Sequence, residues 1–205
     1  MGGESRYPLV PVGEILRSDP SNGFSPKEVA EWTGLLSLGL GCLTKSGFLP
    51  RQLKRVPDSS YARRFLLSDG DLLLSRANTR ELVGLVGIYR DVGNPCIYPD
   101  LMMRLIPNDI VCLPSYLELV LGSATVRREL QAGARGTSES MVKISASLVQ
   151  SLRVPLPSIA EQRKIVNAHA VVEQRIAALD QVRAKLRVIQ RGVVEGLLGG
   201  RDYLP

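Results

Sequence analysis

Apolar and polar positions alternate over short distances through most of the chain, and only its last quarter carries one sustained rhythm. Residues 65–67, 72–74 and 82–88 are apolar runs short enough to be strands, and Ser68-Asp69-Gly70 supplies a turn between the first two. Further strands are expected at 96–106, 142–144 and 152–156. Ser25-Pro26-Lys27-Glu28 reads as a helix start, with a capping serine, a proline at the first helical position and a capping-box glutamate. Ser115 and Glu118 repeat that spacing ahead of Leu117, Val120, Leu121, Ala124 and Leu130, an apolar stripe at helical intervals. Few helices among several short strands predict a mixed α+β domain over residues 1–157.

The pattern changes at Pro155-Leu156-Pro157. No proline follows until Pro205, and Ser158 with Glu161 forms a capping box. Ile165, Val172, Leu179, Leu186 and Val193 then recur every seven residues, with Ala168, Val182 and Ile189 between them. Arg175 interrupts the second row, and Gly192 and Gly196 weaken the last turns. A helix over 158–199 is about 60 Å long, more than one small domain covers. It predicts a coiled-coil strut that takes a partner helix, followed by a short tail at 200–205.

Composition narrows the possibilities. The chain has 205 residues, 44% of them hydrophobic and 22% charged, which describes a folded protein. The net charge of +6 and a pI near 9.5 favour an anionic partner. No apolar run approaches a membrane span. Met1-Gly2-Gly3-Glu4 has neither the basic nor the apolar region of a secretion signal, and Cys42, Cys96 and Cys112 are odd in number and far apart. A cytoplasmic, reducing setting is expected. A single histidine, His169, and the absence of a C-x-x-C pair argue against zinc.

The groups that chemistry would need are sparse. Asn94-Pro95-Cys96-Ile97 lacks the second proline and the aromatic residue of the amino-methyltransferase turn. Gly39-Leu40-Gly41 lacks the third glycine of a dinucleotide loop. Asp58, Asp69 and Asp71 could hold Mg²⁺ as nuclease carboxylates, yet no Glu-x-Lys follows to complete such a site. Neither a catalytic metal nor a cofactor is expected. Cations, in contrast, cluster. Arg51, Lys54, Arg55, Arg63, Arg64, Arg76 and Arg80 face only Asp58, Asp69 and Asp71 over the same stretch, and Arg127, Arg128, Arg135 and Lys143 surround a Gly-Thr-Ser segment. Arginine forks suit phosphate oxygens and guanine edges, and hydroxyls beside glycine complete phosphate contacts.

Two segments carry a resemblance. Residues 68–77 through Leu82-Val83-Gly84 are similar to the "GD-apolar-SR…VG" segment of type I restriction–modification specificity subunits. Residues 152–165, with Pro155-Leu156-Pro157 and Glu161-Gln162 leading to Ile165, resemble that family's "PLP-x-x-EQ-x-x-I" junction into a spacer helix. Val12-Gly13-Glu14-Ile15-Leu16, the Gly136-Thr137 turn and 141–145 fit the same pattern, so the likeness spans nearly the whole chain.

The resemblance implies a target recognition domain that reads part of a double-stranded DNA sequence, and a helix that docks methyltransferase subunits and, where present, restriction subunits. Such subunits usually carry two recognition domains and two helices, whereas this sequence carries one of each, which leaves two options: a half-size subunit that pairs with a copy of itself through the helix, or an excised half of a longer protein. Pairing is preferred, because the apolar seam would otherwise be exposed. On that reading Arg76, Arg135 and Lys143, then Arg63 and Arg64 with Ser75 and Thr137, contact DNA. Ile165, Val172, Leu179, Val182, Leu186 and Ile189 carry assembly. Two rivals remain: a small Mg²⁺-dependent nuclease, and a coiled-coil module that binds proteins without reading DNA.

Overall fold

The computed structural model describes residues 6–138 and 141–199, leaving aside the side chains of 137–138 and 196–199. The expected tail at 200–205 lies outside the described residues. The chain divides into two compact units, Met1–Arg163 and Lys164–Pro205.

In the first unit the strands are, in chain order, β1 (Leu9–Pro11), β2 (Ser21–Asn22), β3 (Leu36–Leu38), β4 (Leu43–Thr44) and β5 (Gly47–Phe48). Then come β6 (Leu53–Arg55), β7 (Leu72–Ser75), β8 (Ala77–Asn78), β9 (Val86–Ile88), β10 (Cys96–Ile97) and β11 (Met102–Leu105). Helices α1 (Pro114–Gly122) and α2 (Ala124–Gly133) precede β12 (Arg135–Ser138) and β13 (Met141–Lys143). Short α3 (Ala146–Ser151) and β14 (Arg153–Pro155) lead into the long α4 (Ile159–Gly199). The α+β expectation is met.

A four-stranded antiparallel sheet, ordered β2-β11-β7-β9, forms the middle of the unit. Leu72, Leu73 and Leu74 on β7 are all fully buried. That explains why this strand shows an unbroken apolar run instead of alternation: both of its faces are covered. One side packs a cluster of Leu38, Cys42, Leu43, Leu73, Leu85, Tyr89, Cys96, Tyr98 and Met102. A second cluster of Leu35, Val56, Ala62 and Ile97 is flanked by Phe24 and Phe65, whose rings stack 5.7 Å apart.

β1 pairs with β14, joining the described start of the chain to the strand that precedes α4. Val12 N–H donates to Leu152 O at 2.8 Å and Leu156 N–H to Pro8 O at 3.0 Å. This closure fixes the point at which the long helix begins.

Several expected elements differ. Residues 25–28 form no helix: the Ser25 hydroxyl donates to the Asp100 carboxylate and accepts from Asp100 N–H, while Glu28 pairs with Lys54 at 3.4 Å. Tertiary partners thus take the groups a cap would use. The stripe from Leu117 to Leu130 is two helices, broken at Ser123, whose hydroxyl caps the second by accepting from Val126 N–H. Ser115 is not a cap either, because Leu113 occupies that place and Pro114 starts the helix. Glu118 instead accepts from Ile88 N–H at 3.0 Å. Over 82–88 only Val86–Ile88 is strand, since Gly84 turns the chain at φ +77°. Phe65 ends a 3₁₀ turn, Ala62–Phe65, instead of opening a strand.

The second unit is the body of α4. Its apolar positions are exposed: Ile165, Val172, Leu179, Val182, Leu186, Ile189 and Val193 range from 36% to 67% accessible. His169 lies on the same helix, 3.8 Å from Glu173 one turn on.

Candidate nucleic-acid interface

Strands β12, β13 and β8 form a small antiparallel sheet. Its register sets Arg135 opposite Lys143, and Lys143 opposite Ala77. Ile144 N–H then donates to Arg76 O at 2.8 Å, which carries the pairing one residue further. Three cations that lie up to 67 positions apart in the sequence therefore meet at one place. They line an open cleft of about 860 Å³ with Ser145, Ser147 and Ser151, over a floor of Gly133, Ile144 and Leu148.

Two glycines allow this closeness. A Cβ on Gly136 would sit 2.4 Å from Met141 O, and one on Gly133 would sit 2.6 Å from Leu148 Cδ2. Real atoms do not approach that closely, so Gly136, which faces backbone, needs a residue without a side chain, whereas a side chain at 133 would displace the Leu148 methyls.

The electrostatics are one-sided. Among the described residues no carboxylate pairs with Arg76, Arg135 or Lys143. Arg76 Nη1 donates to Asp100 O at 3.2 Å, which orients its fork without neutralising it. Ser145 caps α3, accepting from Leu148 N–H at 3.1 Å, and its oxygen lies 2.9 Å from that of Ser147.

The other sequence-selected cations are spent elsewhere. Arg63 makes a bidentate pair with Asp58, at 2.7 Å from Nε and from Nη2. That pairing holds the Asp58 carboxyl below, and the Arg63 guanidinium above, its ordinary range. Arg64 lies over the Tyr61 ring, Arg55 donates to Ala30 O and Arg127 to Glu81 O. Part of the charge excess over residues 51–80 is therefore engaged within the chain. Ser75 corrects the sequence reading more directly: it is fully buried on β7 and its hydroxyl accepts from Asn78, so it cannot reach a ligand in the cleft. The Thr137 side chain lies outside the described residues.

The three aspartates do not converge. Asp58 holds Arg63, Asp69 accepts from Arg90 and from Asp91 N–H, and Asp71 accepts from Ser68 N–H and from Arg104. Among the described residues no three acidic, histidine or cysteine side chains gather as metal ligands would. The three thiols are buried; burial pushes those of Cys96 and Cys112 up to about 12, so neither is ionised near neutrality.

No family model matches the chain. Among curated proteins it is 28% identical over 141 residues to the type I restriction enzyme EcoEI specificity subunit of Escherichia coli. That match covers 67% of this chain and 23% of that protein. A putative type I restriction enzyme MjaX specificity subunit of Methanocaldococcus jannaschii is 24% identical over 156 residues, covering 76% of this chain and 35% of the other. The fold is shared with a chain solved in a structural study of type I restriction–modification complex assembly, at a TM-score of 0.69 and 21% identity over all of this chain and 48% of that one. It is shared too with the HsdS subunit of Thermoanaerobacter tengcongensis, at 0.58 and 18% over 96% and 46%.

This chain is related to the type I restriction-enzyme specificity subunits. The matched stretch spans about a quarter to a third of the curated relatives, and the chain just under half of the solved ones.

In this specificity-subunit relative the junction motif has a structural meaning that its sequence did not disclose. Glu161 closes the capping box, accepting from Ser158 N–H at 3.2 Å and from the Ser158 hydroxyl at 2.9 Å. Gln162 is fully buried. Its amide donates to Val111 O at 2.9 Å and Pro157 O at 3.0 Å, and accepts from Leu113 N–H at 2.9 Å. Tyr116 adds a bond from its hydroxyl to Pro155 O at 2.7 Å. The motif alone assigns Gln162 no role; its one sequence signal is an amide in the first turn of the helix. No helix among the described residues is long and apolar enough to cross a membrane.

Proposed function

We propose that this chain reads one part of a bipartite DNA sequence for a type I restriction–modification complex and leaves the chemistry to partner subunits. Residues 1–157 act as the recognition domain and 158–199 as the spacer helix. The observation that carries this reading is the cleft in which Arg76, Arg135 and Lys143 meet with no carboxylate among the described residues. Duplex DNA is the polyanion whose phosphate spacing and groove edges such a surface suits.

The exposed apolar row of α4 supports the second part of the reading. Left in water, a seam of Val, Leu and Ile at seven-residue spacing favours a matching helix. Two copies pair antiparallel through it, so that a twofold axis sets two recognition domains at a fixed separation over inverted half-sites. Methyltransferase subunits dock on this paired helix, and restriction subunits where they exist. Methyl transfer and cleavage take place on those partners, with their own cofactors.

Co-expression of the chain with its methyltransferase, followed by mapping of methylated adenines or cytosines, tests the proposal. A split palindrome with an unread gap is the expected motif. An asymmetric motif, or no methylation that depends on this chain, overturns it.

A further inference from the structure

We infer that the Arg76–Arg135–Lys143 cleft grips the DNA backbone as a phosphate clamp and does not itself choose bases; the inference rests on the DNA-reading proposal above. The sheet register is the first ground. Arg135 and Lys143 stand directly opposite each other on neighbouring strands, where like charges repel. An anion seated between them removes that repulsion, and a diester phosphate is the anion that duplex DNA presents.

The chemistry of the lining is the second ground. Among the described residues its side chains offer Arg and Lys N–H donors and serine hydroxyls, with no carboxylate, carboxamide or aromatic ring, and the Ser151 hydroxyl is already engaged by Leu148 O at 3.0 Å. Reading adenine takes Asn or Gln, and reading cytosine takes Asp or Glu, none of which lines the cleft among the described residues. Guanine O6 and N7 also accept from Arg and Lys, but they are neutral and would leave the Arg135–Lys143 repulsion standing. In the Ser145–Ser147 pair one hydroxyl hydrogen bridges the two oxygens, so the other remains to be donated, whichever serine holds it. A phosphate diester both accepts such hydrogen bonds and carries the negative charge that balances the cations.

The third ground is how the cleft is held. Gly136 fixes it by a backbone approach to Met141 O that admits no side chain, and Arg76 is tethered to Asp100 O. Such a rigid anchor sets register on the duplex, which is what phosphate contacts do.

The test uses the full chain, a duplex carrying the motif defined by co-expression and a scrambled duplex of equal length, each titrated across salt concentrations. Arg135→Gln and Lys143→Gln each reduce the slope of log affinity against log salt by about 0.9, the value for one lost phosphate contact on B-DNA. Affinity for both duplexes falls by the same factor. Lys143→Arg keeps the slope, and so does Arg90→Gln, whose partner Asp69 is outside the cleft. An unchanged slope in both glutamine variants, or a shift in preference between the duplexes, overturns the clamp and leaves DNA reading in place. A wild-type chain that binds neither duplex in a salt-dependent way overturns both.

Discussion

Gln162 shows at the residue scale how one buried amide can organise a junction. Its three hydrogen bonds reach Val111 O, Leu113 N–H and Pro157 O, so the start of α4 is bound to the segment that precedes α1. Gln162→Leu keeps the volume but strands those backbone groups without water. Leaving buried groups unpaired costs about 1–3 kcal/mol, and the variant is expected to lose about 2–3 kcal/mol in urea unfolding at an unchanged m-value. A loss below about 0.5 kcal/mol would mean that water replaces the amide. The cleft cations are legible individually, because Arg and Lys near serine, threonine or glycine, as Arg76 beside Ser75 and Arg135 beside Gly136, are an ordinary phosphate signature. Their meeting was not legible, since it depends on the pairing of Arg135 with Lys143 and of Ile144 with Arg76. The burial of Ser75 is hidden for a related reason: a hydroxyl on a strand says nothing of which face is covered.

At the scale of elements, caps were readable where their partners are local and misread where they are distant. Ser158 and Glu161 satisfy each other within one turn, and the capping box is present as the spacing predicts. Ser25 follows the same rule of composition, yet its hydroxyl is engaged by Asp100, 75 positions away, and no helix forms. The Glu161 cap carries a pH signature. Its carboxyl is held below the ordinary value of 4.5, chiefly by the Ser158 hydroxyl and then by the Ser158 N–H. A carboxylate with a depressed folded pKa stabilises fully above its unfolded pKa, and that contribution disappears as pH falls through the folded value. Glu161→Gln keeps a capping acceptor without the charge. The stability difference between wild type and variant is therefore expected to shrink on acidification from pH 6 to pH 3, measured as urea midpoints. A difference that stays constant over that range contradicts the assignment.

For the whole molecule the sequence was most informative about the helix and least about the domain. Heptad spacing in α4 is a property of neighbouring turns, so Ile165 through Val193 could be read directly, and the structure leaves all of them exposed. The domain depends on long-range pairings such as β1 with β14, which no local pattern encodes. The proposed pairing of recognition domains on a shared helical spacer would join these two parts into one function. Sedimentation equilibrium of the full chain, with and without Leu179→Glu, tests this central claim most directly. The wild type is predicted to sediment at about twice 22.4 kDa and the variant at the single-chain mass. A wild-type chain that stays at 22.4 kDa across micromolar concentrations would contradict the account.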